Sequence, residues 1–575
     1  MTAFLRTSLL AAVIASLAAC TSPERQAIED TAALASTLAD AVRFIAQYEA
    51  AVKPLEKAAA LASWNANVTG RDEDFKAVEE ALNKLDAVLA DRARFAELEK
   101  ICERVAAAGD RIDALVARQI GLLRLQYLGK QLDPELLKKL AAKAIAIEQA
   151  FNVYRAKVGD RELTDSQVRK ILKESRDTAE RKAVWEANKA VGAAVEADLK
   201  ELVRLRNEAA RTLGFKNYHQ MQLTLGEQDP EQVLELFDEL HDLTRESFAI
   251  AKNYIDAHLA QAYGVTTSGL RPWHYQDPFF QEPQAVFPAD LDSAYADADV
   301  LKLCREFYAG IGLPIDDVLA RSDLYEKSGK SPHAFCTDID REGDVRVLAN
   351  IVPNHYWMGT MLHELGHSVY SSKNIPTEVP YILRTDAHTL CNEAIAMLLE
   401  RFASRGDWLE AMGVEVKDRA AFDEAGALSR RHHLLIFAAW SQVMFRFEKS
   451  MYENPDRDLN KLWWDLVEKY QLVRRPEGRN APDYAAKIHI VSSPAYYHNY
   501  LMGELFACQL NAAIAREVFG APPAGVLYNG NAKVGEFLKA RVFGPGRTVH
   551  WTELIRAATG EPLNARAFAA EFKGK

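Results

Sequence analysis

The residues best equipped for chemistry sit in one decapeptide, MLHELGHSVY at 361–370, where His363 and His367 stand four apart with Glu364 between them. On a helix, positions i and i+4 share a face one turn apart, so two imidazoles can meet one ion while Glu364 points to the open side. Zinc hydrolases use this arrangement: neutral imidazoles bind the metal and an adjacent unligated carboxylate takes a proton from water. A third ligand is offered twenty-six residues after His367 by Glu393 in CNEAIAMLLERF. Ile395, Leu398 and Leu399 surround an acid that is costly to bury unless it binds something; the plainer alternative is a solvated helix acid. Gly366 would let the metal helix approach a neighbour closely. His355, Asp386 and His388 lie nearby and are read as supporting or structural groups rather than ligands.

These residues must be carried by helices. From about 26 to 330 apolar residues return every three or four positions among Ala, Leu, Glu, Lys and Arg, the helical period. Asp133-Pro134 and Asp229-Pro230 read as N-caps followed by proline at the first helical position, with Leu137, Leu140, Ala144 and Phe151 marking a buried face. The one persuasive strand signal is a hairpin, His333 to Ile339 and Val345 to Ile351, around a turn with Gly343. With no internal repeat and no low-complexity linker, one large helix-rich catalytic unit is the economical reading.

The chain has 575 residues, 49% of them apolar, and a net charge of -11. It lacks the basic face that phosphate binding needs, so no nucleic-acid partner is expected and a small molecule or peptide is favoured. Residues 1–19 read as an export signal, with Arg6 before an apolar stretch from Leu9 to Leu17. The ending LAAC resembles a bacterial lipobox, which would make Cys20 the site of lipidation, residues 20–30 a membrane tether and 31–575 a single peptidase domain. Thr21 after that cysteine favours the periplasmic face of the outer membrane. The other five cysteines are odd in number and widely spaced, so they form no complete disulfide framework.

The order of motifs resembles the angiotensin-converting-enzyme family of zinc peptidyl-dipeptidases. ASWNANVTG near 62, WEANKAVGAAVEADLKELVRLRNEAAR from 185, HAFC at 333, HELGH at 363, NEAIA at 392, WWDLVEKYQ at 463 and AKIHIVSSPAYYHNY at 486 span roughly residues 60 to 510. HELGH and NEAIA alone do not separate this family from the thimet oligopeptidase group, whereas WWDLVEKYQ and KIHIVSS favour the first. The resemblance implies a mainly α, two-lobed metallopeptidase with a deep central cleft, a small antiparallel β element near the active site, and one Zn2+ on His363, His367 and Glu393. It makes Glu364 the general base, lays the substrate along His333 and Ala334, and gives Lys487 and Tyr496 the peptide's terminal carboxylate, with Gln276 as a further anchor. His489 and Tyr500 become the oxyanion partners, with Tyr497 in reserve and Asn499 in the directly aligned place.

Three departures matter. Met397 stands where the family has an acid supporting a zinc histidine, so that support must come from elsewhere or be absent. Arginines expected near His498 and Val467 are missing, so chloride dependence is not carried over. The cysteine pair bracketing the substrate strand is gone, with Pro332 directly before His333. The implied activity is release of dipeptides from the free C-terminus of oligopeptides. A thimet-type endo-oligopeptidase is the alternative, and a non-catalytic peptide-binding lipoprotein the remote one.

Overall fold

The computed structural model describes residues 23–286 and 290–573; the export segment and Cys20 lie outside them. Helices run from the first described residues to the last, interrupted by two small antiparallel hairpins, so the fold is mainly α. The first helix, α1 (Pro23–Thr69), contains Pro54. Contacts divide the chain into two compact units where composition suggests one: Met1–Leu55 with Asn83–Gln131, and Glu56–Leu82 with Leu132–Lys575. Sequence gives no linker there because the first crossing falls inside α1, just after Pro54. Apart from Cys20, every candidate residue belongs to the larger unit. None of the helices among the described residues is long and apolar enough to cross a membrane.

The caps act as the sequence suggests. Asp133 accepts the Glu135 and Leu136 amides at the start of α2 (Pro134–Val153), and Asp229 accepts those of Glu231 and Gln232 at the start of α3 (Pro230–Tyr263), satisfying donors that have no partner inside the helix. The apolar face of α2 is offset from the expected one. Leu136 and Ile147 are its buried residues while Leu137 is exposed, because Leu136 packs with Leu132 against Ala209.

A hairpin of Ala156–Val158 (β1) and Arg161–Leu163 (β2), turning at Gly159 with φ +59, was not legible in sequence; three-residue strands are too short to show alternation. The expected hairpin exists but is shorter: Phe335–Asp338 (β3) pairs with Val345–Leu348 (β4), in register from Phe335↔Leu348 to Asp338↔Val345. Both outer ends are claimed elsewhere. Ser331 donates its amide to the Asn67 carbonyl, and the amides of Ala349 and Ile351 turn to the carbonyls of Asp323 and Leu324. His333 and Ala334 therefore precede the strand instead of forming it.

Three helices frame the site: α4 (His355–Val369), α5 (Thr389–Glu400) and α6 (His498–Ile514). Asn354 caps α4 through the Trp357 amide. Helix α5 is apolar nearly all round and packs between the other two. Glycines set both approaches: a Cβ at Gly366 would lie 2.7 Å from Ala396 Cα, and one at Gly503 would lie 2.9 Å from Glu393 Cβ. Side chains at the two positions would force α5 away from its neighbours.

Candidate metal centre

Among the described residues, one group of side chains can close on a cation: His363 and His367 from α4 and Glu393 from α5, with one ligand atom of each within 4.8 Å of the others. The two Nε2 atoms are 3.1 Å apart, and Glu393 Oε2 is 3.7 Å from His363 Nε2. Two imidazole nitrogens each about 2.05 Å from a tetrahedral ion would be about 3.3 Å apart.

The far side of each ring fixes which nitrogen is bare. His367 Nδ1 lies 2.9 Å from Asn392 Oδ1, and the amide of Asn392 is oriented by donating to Asp386 Oδ2 at 2.7 Å. That oxygen must accept, so His367 carries its proton on Nδ1. His363 Nδ1 lies 2.9 Å from Glu400 Oε2, which also must accept. With both rings neutral, the two Nε2 lone pairs face each other at 3.1 Å, an arrangement that repels unless a proton or a metal ion sits between them. Two imidazoles and a carboxylate within 4.8 Å of one another, each histidine oriented from behind by an acceptor, fit a zinc-class ion.

Without an ion, the local electrostatics favour a proton on His363, in the place the ion would take. Burial, the strongest influence, works against a charged His363, yet its hydrogen bond to Glu400 and the charges of Glu400, Glu364 and Glu393 raise it to about 9. Burial and the neighbouring His363 charge push His367 down to about 4. Glu364, beside His363 and buried, is raised to about 7 by burial, with His363 opposing and Glu393 and Glu400 adding; the Cys336 amide donates to it. Burial also raises Glu393.

The support left open by Met397 is supplied by Glu400, seven residues and two turns after Glu393, and by the Asn392–Asp386 pair. Spacing by seven on one helix face was the available signal for Glu400. His355 bonds Ser404 Oγ at 2.8 Å, and His388 caps α5 through the Leu390 amide while its Nε2 meets the Gly226 carbonyl, so neither is a ligand.

The 487–500 segment reaches the same region. Tyr496 hydroxyl is 3.1 Å from Thr389 Oγ1, and its ring is 5.4 Å from that of Tyr500. Tyr500 is pushed up to about 12 by burial, then by Tyr496 and Glu393, which places its hydroxyl in the field of the triad. Asn499 points the other way, buried and accepting from Gln228. His489 is held near 4 by burial and then Lys487, hence neutral; its Nδ1 is buried with no partner among the described residues, and its ring meets Tyr497 edge-on at 5.6 Å.

Lys487 is buried, against its ordinary preference for solvent. Its ammonium donates to Gln281 Oε1 at 2.6 Å and lies against the rings of Phe279, Trp440 and Tyr497. Burial lowers it to about 8, with Asp277 acting in the opposite sense. The ring beside Lys487 is that of Tyr497, whereas Tyr496 faces Thr389 and Glu393. Gln276 is committed elsewhere: its Oε1 accepts the Ala285 amide at 2.7 Å and its backbone N–H donates to Gln284 Oε1. Gln281, five residues on, is the glutamine that reaches the lysine. No local pattern marks it, since its partner is 206 residues away.

Comparison with known proteins agrees with this architecture. The family described as "Angiotensin-converting enzyme" matches residues 35–275, and "Peptidase family M3" matches residues 319–574. An angiotensin-converting enzyme-like protein of Mus musculus is 23% identical over 495 residues, 79% of this chain and 65% of that protein. Angiotensin-converting enzyme of Theromyzon tessulatum is 22% identical over 48% of this chain and 47% of its own length, and an angiotensin-converting enzyme-related protein of Drosophila melanogaster 22% over 68% and 67%. The chain thus spans less than two-thirds of the first two relatives. The two family matches lie in order along one helical chain, the ligand triad in the second, so the chain is similar to two families of metallopeptidases, angiotensin-converting enzyme over its first half and Peptidase family M3 over its second.

Proposed function

We propose that the chain is a zinc peptidyl-dipeptidase that releases dipeptides from the free C-terminus of oligopeptides. The observation that carries this reading is the Lys487 ammonium, buried among aromatic rings with one neutral acceptor, on the segment that also carries His489 and Tyr500. A buried cation without a directly bonded carboxylate is costly, and a peptide's terminal carboxylate would supply the missing charge.

Zinc on His363, His367 and Glu393, when bound, supplies Lewis acidity that polarises an acyl oxygen and makes water more acidic. Glu364, poised near neutrality, accepts the proton of the attacking water and returns it to the departing amine. Tyr500 and the neutral His489 donate to the oxyanion as charge develops there. An extended peptide runs beside Ala334, short of the β3 pairing, the His333 amide being turned to Ser331 Oγ at 3.4 Å, and Lys487 with Gln281 holds its carboxyl end.

Glu364→Gln tests the chemistry: zinc content and fold persist while turnover falls by at least about 100-fold, and full activity refutes the role of Glu364. A second reading, internal cleavage of short peptides, is favoured by the Peptidase family M3 match over residues 319–574. Amidating a substrate's C-terminus separates the two, since dipeptide release then collapses and internal cleavage persists. The exported, lipid-anchored state is part of the proposal and rests on residues 1–20 alone; Cys20→Ser moving the protein from the detergent phase to the aqueous phase is its test.

A further inference from the structure

A cavity of about 220 Å³ opens beside the triad, with His367 and Glu393 in its wall, so whatever occupies it lies against the ligand atoms. Asp338 of β3 and Asp386 complete an acidic lining; Thr385 and Thr389 are among its neutral members, and no Lys or Arg lines it. Asp338 accepts the Arg341 amide on Oδ1 and the Ser372 amide on Oδ2, each at 2.9 Å. Those dipoles steady its charge without cancelling it. Asp386 gives Oδ2 to Asn392, and its Oδ1 has no partner among the described residues. The guanidinium groups that act on Asp386 from outside the cavity, Arg341 and Arg547, are paired with Glu56 and Glu227. Once Glu393 serves an ion, Asp338 and Asp386 remain in the lining, and no Lys or Arg side chain of the wall pairs with them.

We infer that this cavity is a specificity subsite for a cationic side chain, arginine or lysine, of the peptide, on the amino side of the bond that is cut. The inference rests on the peptidase reading above. An apolar or acidic occupant would leave two partly desolvated carboxylates unpaired or opposed, whereas a guanidinium or ammonium pairs with them and reaches the free Oδ1 of Asp386. The amino side follows from the lining. None of it comes from the 483–500 segment, where Lys487 would hold the carboxyl end of the peptide.

The test uses the zinc-loaded full chain and two peptide series, acetyl-Gly-X-Ala-Ala and acetyl-X-Gly-Ala-Ala, with X as Arg, Gln or Glu. The Arg:Glu ratio of kcat/KM is the readout, because it cancels any general loss of fold or zinc. A ratio of about 10- to 100-fold is expected in one series, the size of a charge-assisted hydrogen bond in a partly buried site. Thr385→Lys, placing an ammonium in the cavity, should bring that ratio to one or below, and Asp338→Asn should lower it several-fold while leaving the ligands untouched. An Arg:Glu ratio within about threefold in both series, or one unmoved by both variants, overturns the inference while the peptidase reading stands. Failure to cleave any of the peptides overturns both.

Discussion

Gly503→Ala puts the packing of the metal centre to a direct test. The added methyl would stand 2.9 Å from Glu393 Cβ and 3.2 Å from the Leu390 carbonyl oxygen. The first distance is roughly 0.9 Å short of an ordinary carbon contact of about 3.8 Å. The obstacle is backbone and a Cβ, so no side-chain rotation relieves it: α5 and α6 must separate, or Glu393 must move. Ligand distances in a zinc site tolerate only about 0.2 Å, so a displacement of even half the overlap should weaken metal binding by about 10- to 100-fold, and overpacking should cost about 1–3 kcal/mol of stability. The assay is competition for zinc against a chromophoric chelator, with thermal unfolding of the metal-free and loaded forms. Gly359→Ala, where a Cβ meets nothing closer than 3.7 Å, serves as the control on the metal helix. Wild-type zinc affinity in Gly503→Ala would show that the close approach of α6 does not set the place of the third ligand.

Glu400→Gln should lower zinc affinity about tenfold, the weaker end of the range for groups behind a ligand, because Glu400 is 49% exposed and water can take over part of its role. Lys487→Met should raise KM for free-acid peptides by about 30-fold or more and leave amidated ones little changed, measured by product release. Glu571, partly buried with Arg430 and Arg401, is drawn down to about 2 by those guanidinium groups against the opposing effect of burial. Its folded pKa lies below the ordinary 4.5, so its contribution is present above that value and disappears as pH falls towards 2. Unfolding of wild type and Glu571→Gln should therefore differ fully at pH 6 and converge over that acid window.

The parts legible in the sequence are those set by short spacing. His363, Glu364 and His367 lie within one helical turn, and Glu393 could be found because an acid sits in an apolar helix. Helix starts at Asp133 and Asp229 were likewise readable from a cap followed by proline. What escaped depends on partners far apart in the chain or on helix phase. Lys487 alone reads as a surface residue until Phe279, Trp440 and Gln281 close around it. The same holds for Leu136 over Leu137, where one residue of phase decides which leucine meets Ala209. Gly503 carries no signal without Glu393 across the interface, and Gln276 and Gln281 are indistinguishable until the loop between them folds back on Ala285.

The two imidazoles of the centre are not electronic equals. His363 leans on a carboxylate, which makes its free nitrogen a more generous electron donor; His367 leans on a carboxamide, which orients the ring but contributes no full charge. A shared ion is then gripped lopsidedly, and ligand exchange should begin at His367, the rung that loosens first when a competing chelator arrives.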